Sequence, residues 1–251
     1  MIFKWTKNKN EINKIGILYI CTGRYSFFWE SFYRSAQKYF CRKSELHYFV
    51  FTDQVINFFD NSKIKHINQP LLGWPYDTLK RFHFFLERKA DLEKMDFLFF
   101  FNANMIFNKT ISESNILPKI NDSGLVSVLH SSFYKHDTNP IFEDNKLSTA
   151  YVNANKEFNY FQGCLIGGKT KEYLIMAEEI KKSIDIDLKN SIIAKWHDES
   201  HMNKYLIKHN PIALHPGFAY PQNAKLPFKK MIVQLDKALF GGHNYLRNVI
   251  D

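Results

Sequence analysis

Residues 97–107 read FLFFFNANMIF. The five apolar side chains from Phe97 to Phe101 leave neither face of an extended segment polar, so a strand here must be covered on both sides. That requirement points to an α/β sheet with helices on either face. The flanking pattern agrees. IGILYICTG (15–23) and HYFVFTD (47–53) read as buried strands ending in polar turns, and KIKHIN (63–68) as a short third strand. Apolar residues at helical spacing within 27–40 (Phe28, Phe32, Ala36, Tyr39, Phe40) and 78–94 (Phe82, Phe85, Leu86, Leu92) supply the connecting helices, and 70–75 is loop. Further on, 124–130 and 160–168 read as strands and 135–157 as polar, irregular chain. Residues 171–188 form the clearest amphipathic helix, and 192–210 contain another that begins near Asp198. Ligands of open sheets sit beyond the carboxyl ends of the strands, where Cys21–Tyr25 and Asn102–Asn104 fall.

Composition narrows the class. The chain has 251 residues, 45% of them hydrophobic, enough for one large α/β domain. No run of about 18 uncharged apolar residues is present, so no transmembrane helix is expected. The start, MIFKWTKNKNEINK, lacks the apolar core of a signal peptide, and residues 1–14 read as a polar lead. Three cysteines (Cys21, Cys41, Cys164), odd in number and without CxxC spacing, favour a reducing, cytoplasmic setting. The formal charge of +9 permits anionic ligands, nucleic acid or an acidic membrane face. Its lysines and arginines are dispersed and no nucleic-acid motif is present, so nucleic acid is not an expected partner and membrane contact is at most peripheral.

Two stretches concentrate groups capable of chemistry. Asn102 and Asn104 are i and i+2 on a strand and point to the same side. Two acids at that spacing would suit a divalent cation bridging to a diphosphate; two amides keep the geometry without the charge, and ordinary turn chemistry is the plainer reading. In WHDESHMN (196–203), His197 and His201 have the i, i+4 spacing of a zinc pair. The metalloprotease pattern needs Glu directly after the first His, where Asp198 stands, and no third ligand is evident. Asp198 could equally be a helix N-cap with Glu199 in the first turn.

Together these stretches resemble glycosyltransferase family 6, the family of the ABO blood-group transferases, the mammalian α-1,3-galactosyltransferase and shorter bacterial relatives. FFFNANMIF is similar to its metal-motif strand with Asn-Ala-Asn in place of Asp-x-Asp, and WHDESHMNKY to its catalytic segment. CTGRY (21–25), YFVFTD (48–53), GWPYDTLKR (73–81), LHSSFY (129–134), FQGCLIGG (161–168) and GGHNYLRN (241–248) follow in chain order. The resemblance covers roughly residues 15 to 248, and the Asn-x-Asn variant is associated with the bacterial, metal-independent branch.

The resemblance implies a GT-A type fold, a Rossmann-like central mixed sheet flanked by helices. Residues 1–251 would form a single catalytic domain whose basic tail, 236–251, closes over UDP. It implies a retaining transfer of galactose or N-acetylgalactosamine from a UDP-sugar to the galactose of a plain or fucosylated β-galactoside, through an α-1,3 linkage. No cofactor or divalent metal is expected. Among the matched positions, Thr22, Tyr25, Asp53, Asn102 and Asn104 are implied for the nucleotide and its diphosphate, with Tyr25 against the uracil. Arg81, Asp198, Gln162, Gly163 and Cys164 are implied for the donor sugar, His130 and Trp196 for the acceptor. Glu199 matches the family's proposed nucleophile or transition-state stabiliser. Without a cation the leaving diphosphate needs protein charge, for which Lys237 and Arg247 are preferred over Arg24; a solvated surface lysine is the plainer reading of Lys237.

Two departures stand out. Cys164 occupies a position where relatives carry glycine or alanine; being larger, it leaves less room for an acetamido group and leans the reading to galactose, unless it is simply a small core residue. Two serines, Ser131 and Ser132, replace a common Pro-Gly. A non-catalytic sugar- or nucleotide-binding protein on the same fold is the alternative function.

Overall fold

Alternate residues of FLFFF face different layers of the protein. In the computed structural model, which describes residues 12–56 and 62–247, Phe99 and Phe101 pack into one apolar cluster while Leu98 and Phe100 pack into another on the opposite side. This strand, β4 (Phe97–Phe101), therefore divides two cores. Each fully buried Phe contributes about 1.5–3 kcal/mol by leaving water.

The described chain begins with β1 (Lys14–Ile20), a two-turn 3-10 segment over Gly23–Phe28, α1 (Trp29–Tyr39), β2 (Glu45–Thr52) and β3 (Ile64–Asn68). Three short helices follow, α2 (Tyr76–Leu79), α3 (Arg81–Leu86) and α4 (Lys89–Leu92), before β4. Then come β5 (Met105–Phe107), α5 (Glu113–Ile116), β6 (Leu125–Leu129), β7 (Phe161–Lys169), α6 (Thr170–Lys189), α7 (Asp198–His209) and β8 (Ile212–Leu214). β9 (Tyr220–Pro221), β10 (Ile232–Gln234), a 3-10 turn at Lys237–Phe240 and α8 (Gly242–Leu246) complete it.

The main sheet has seven strands in the order β3-β2-β1-β4-β7-β6-β8. β3, β2, β1 and β4 are mutually parallel; β7 runs antiparallel to both β4 and β6, and β8 is parallel to β6. The sheet is thus mixed and flanked by helices. One core layer holds Trp29, Phe32 and Ala36 of α1; the other holds Phe82 and Phe85 of α3, Tyr173, Ala177 and Ile180 of α6, and Met202 and Leu206 of α7. A smaller sheet, β5-β10-β9, joins the chain just after β4 to the C-terminal region.

The structure corrects one local expectation and adds three short strands. The helix expected over 78–94 is broken into α2, α3 and α4, with Lys80 (φ −95°, ψ 12°) and Arg88 (φ −110°, ψ 15°) between them in the bridge region. Burial explains the break: Arg81, Phe82, Phe84 and Phe85 are all buried, more than one face of a continuous helix can direct inward. β5, β9 and β10 had no signature in sequence, because two- and three-residue strands carry no readable period. Residues 1–11 of the polar lead and 248–251 of the tail lie outside the described residues.

Candidate active site

Because β1, β2 and β4 are parallel, their carboxyl ends share one edge of the sheet and deliver Thr22, Asp53 and Asn102 together. The direction of β1–β4 crossover reverses between β1 and β4, and a cleft of about 270 Å³ opens there. Thr22, Tyr25, Arg81, Asn102, Asn104, Lys237 and Arg247 line it, joined by Trp74, Asp77, Thr78, Phe100 and His243, which sequence reading did not single out. The last five lie on or beside quoted motif stretches, which were the available signal. β7 runs the other way, so its first residues, Phe161–Cys164, reach this same edge; Asn102 N–H donates to the Cys164 carbonyl (2.9 Å).

The buried centre is a guanidinium between two acids and a strand. Arg81 Nη1 donates to the Gly163 carbonyl (2.5 Å), and Nη2 lies 2.6 Å from Asp198 Oδ2, with both side chains almost fully buried. The Arg81 guanidinium also stacks 4.5 Å from the Phe100 ring centre. The Arg81–Asp198 contact is an ion pair without hydrogen-bond alignment, and both Asp198 carboxylate oxygens keep unused acceptor capacity in a buried position. Burial drives the Asp198 pKa up to about 7, against the opposing pull of Arg81. An acid so placed is poised to accept from hydroxyl donors. It is the first residue of α7, not its cap; His197 precedes it with φ 53° and ψ −127°, a conformation strained for a residue bearing a Cβ.

Glu199, next on α7, is held at both oxygens: Oε1 accepts from the Tyr160 hydroxyl (2.8 Å) and Oε2 from the Gly163 N–H (2.6 Å). Burial raises its pKa while those two donors oppose the shift. Gly163 leaves little room for a side chain, since a Cβ would sit 3.0 Å from Glu199 Oε2 and 3.3 Å from Arg81 Nη2. Asn203, one helical turn on, fixes α7 to β7: its Oδ1 accepts from Phe161 N–H (2.8 Å) and its Nδ2 donates to the Phe161 and Glu199 carbonyls (2.9 and 3.0 Å). Neither Tyr160 nor Asn203 was singled out from sequence; their roles depend on a strand and a helix meeting across some forty residues of chain.

One wall of the cleft is basic. Lys237 and Arg247 make no ion pair with a described residue; Lys237 lies 5.2 Å over the Tyr25 ring and Arg247 3.6 Å over that of Trp74. Burial, then repulsion from Arg247, lowers the Lys237 pKa to about 8. Arg24 is otherwise engaged, donating to the Tyr245 carbonyl (2.6 Å). Asn104 anchors this wall: Nδ2 donates to the Leu235 carbonyl (2.7 Å) while Leu235 N–H donates to the Asn104 carbonyl (2.8 Å). Its Oδ1 is buried and unpartnered. A hard divalent cation fits this donor set poorly, because the two amides are neutral and Asp77, the carboxylate lining the cleft, already accepts from Leu72 N–H (2.7 Å).

The remaining candidates are more dispersed. Asp53 Oδ1 accepts from Gly23 N–H (2.7 Å) and shapes the turn after β1 without lining the cleft. Gln162 donates to Gln234 Oε1 (2.9 Å), and its own Oε1 is buried and unpaired. Cys164 packs in the apolar core at 1% exposure and does not line the cleft. His130 follows β6, its ring against Phe133 and Tyr160. Trp196 is 43% exposed and donates to the Ile141 carbonyl (3.0 Å). His197 packs on Trp74 while His201 bonds Ser183 Oγ (2.8 Å), so the two do not face a common metal. Among the described residues, no group of three His, Cys, Asp or Glu could hold one, and no helix is long and apolar enough to cross a membrane.

Comparison with known proteins identifies this assembly. The model of the family described as glycosyltransferase family 6 matches residues 4–248. The chain is 34% identical over 226 residues to the O-antigen biosynthesis glycosyltransferase WbnI of Escherichia coli, a match covering 89% of this chain and 94% of that protein. It is 26% identical over 208 residues to the human globoside alpha-1,3-N-acetylgalactosaminyltransferase 1, covering 78% and 58%. With the rat histo-blood group ABO system transferase 2 it shares 26% over 229 residues, covering 83% and 64%. The chain therefore spans less than two thirds of the length of these mammalian relatives. A mixed sheet flanked by helices in the GT-A manner, together with a family match over nearly its whole length, shows that the chain belongs to glycosyltransferase family 6.

Proposed function

We propose that the protein is a retaining α-1,3-glycosyltransferase that moves galactose or N-acetylgalactosamine from a UDP-sugar to the galactose of a β-galactoside, without a divalent metal. One observation carries this reading: Lys237 and Arg247, without an ion-pair partner among the described residues, line the same cleft as Arg81, whose guanidinium pairs with the buried Asp198 beside Glu199. A departing diphosphate needs positive charge and a sugar losing it needs negative charge; the cleft supplies the first, and the carboxylates behind Arg81 would supply the second. Asp198 accepts from donor-sugar hydroxyls through its unused oxygens, while Arg81 balances its charge. Glu199, fixed by Tyr160 and Gly163, places a carboxylate beside the anomeric carbon, as stabiliser or as nucleophile. Asn102 directs its amide at the diphosphate, Asn104 holds the segment that carries Lys237 beside it, and Tyr25 and Thr22 border the nucleoside. His130 and Trp196 flank the acceptor. Gln162 and the backbone of Gly163 border the donor sugar.

The test is UDP release from UDP-galactose and UDP-N-acetylgalactosamine with lactose or 2′-fucosyllactose as acceptor, in EDTA and in Mn²⁺. Acceptor-dependent release in EDTA is expected. Release confined to Mn²⁺ would overturn the metal-free reading. Glu199→Gln should lower kcat by at least about 10²-fold with UDP affinity intact. Unchanged turnover in that variant would remove Glu199 from the mechanism, and absence of release from the parent protein under every condition would favour a binding protein.

A further inference from the structure

A second and larger cavity, of about 590 Å³, lies away from the cleft, between the irregular chain around 139–158 and the outer side of α7. Lys156, Lys204 and Lys208 line it, with Asn139, Asn153 and Asn155, over an apolar floor that includes Phe158 and Ile207. No Asp or Glu is among its lining residues. Other lysines are matched with acids, for example Lys89 with Glu178 and Lys195 with Asp144; these three are not paired with any described carboxylate. Lys204 and Lys208 are i, i+4 on α7, and proximity to Lys208 adds to burial in lowering the Lys204 pKa.

The groove is built into the fold. Lys204 Nζ donates to the Tyr151 carbonyl (2.6 Å), which fixes its head at the wall. The irregular chain is held by buried polar contacts: Glu143 accepts from Lys195 N–H (2.5 Å), and Asp187 from Ser148 Oγ (2.5 Å) and Thr149 N–H (2.7 Å). A chain of contacts connects it to the transfer centre. Phe158 packs on Phe142 (6.4 Å between ring centres), Phe142 on Tyr160 (5.1 Å), and the Tyr160 hydroxyl reaches Glu199.

We propose that this groove is a remote acceptor subsite for an anionic saccharide unit, one bearing a carboxylate or a phosphoryl group. Amides suit sugar hydroxyls, an aromatic floor suits the apolar face of a pyranose, and lysines without a described carboxylate partner suit the anion. The proposal rests on the transferase reading and makes the acceptor an extended, acidic glycan whose terminal galactose reaches the cleft.

The experiment compares three acceptors with the same terminal galactose: lactose, lactobionate (a carboxylate) and lactose 1-phosphate. Each is assayed with the parent protein and with the exposed-lysine variants Lys156→Gln and Lys208→Gln. Direct binding of each acceptor is measured by calorimetry in parallel. The anionic acceptors should show the lower KM and Kd, by about threefold per lysine, with kcat unchanged. That advantage should fall in both variants and vanish in 0.5 M salt, while lactose stays unaffected. Preference for one anionic acceptor over the other names the group. Equal KM and Kd for all three acceptors, or a loss shared by lactose, overturns the subsite. Failure of lactose transfer with retained, lysine-dependent calorimetric binding would leave the groove standing and count against the transferase reading alone.

Discussion

Lys237 is a cation in the wrong place for a resting protein: half-buried, beside Arg247, with its pKa lowered to about 8. A lysine is charged below its pKa, so the charge available to a diphosphate is full near pH 6 and is lost as pH rises through 8. UDP affinity measured by calorimetry should therefore weaken between pH 7 and 9, while Lys237→Gln binds more weakly at pH 7, loses that slope and converges with the parent toward pH 9; a parallel slope in the variant would remove Lys237 from the site. Asn104 makes a complementary prediction. A carboxylate at 104 would set an acceptor against the Leu235 carbonyl, 2.7 Å from the present amide nitrogen. Asn104→Asp should thus lower UDP affinity about tenfold or more by loosening the segment that carries Lys237, without gaining Mn²⁺ dependence. Tight, Mn²⁺-dependent binding in that variant would refute the anchoring role.

Contacts between elements decide whether the acids of α7 arrive at the right place. Asn203 satisfies both backbone groups of Phe161 and so pins the helix bearing Asp198 and Glu199 to β7. Asn203→Ala leaves that buried backbone unpaired and should cost about 2–3 kcal/mol, read as a fall of roughly 5–10 °C in Tm. A second site is the β4–β7 pair. A Cβ on Gly167 would approach Phe99 Cδ1 to 2.1 Å, so the glycine of FQGCLIGG is the space in which a ring of FLFFF lies. Gly167→Ala should destabilise by about 1–3 kcal/mol or more, with a thermal melt as the check; an unchanged Tm would mean that the Phe99 ring moves aside without cost.

On the scale of the whole molecule, the cleft is closed by a segment far from it in sequence. β10 pairs with β5, just beyond Asn104, and the chain from Leu235 onward then runs along the cleft to Lys237 and Arg247. Ending the chain after Asp236 should leave the seven-stranded sheet intact by circular dichroism while abolishing UDP binding; retained binding would place the diphosphate elsewhere. The sequence by itself determined the buried strands, because runs such as FLFFF admit no solvated face, and it determined the edge at which polar residues emerge, because strand ends are marked by abrupt polarity. It also marked Asn102, Asp198 and Glu199 as a set, through two motifs specific enough to name a family. What only the tertiary structure decided is how those motifs meet: the antiparallel β7 that brings Gly163 to Glu199, the broken helix that turns Arg81 inward, and the core position of Cys164. These depend on pairings between residues tens to more than a hundred positions apart, and a local pattern of polarity does not encode which strand lies beside which.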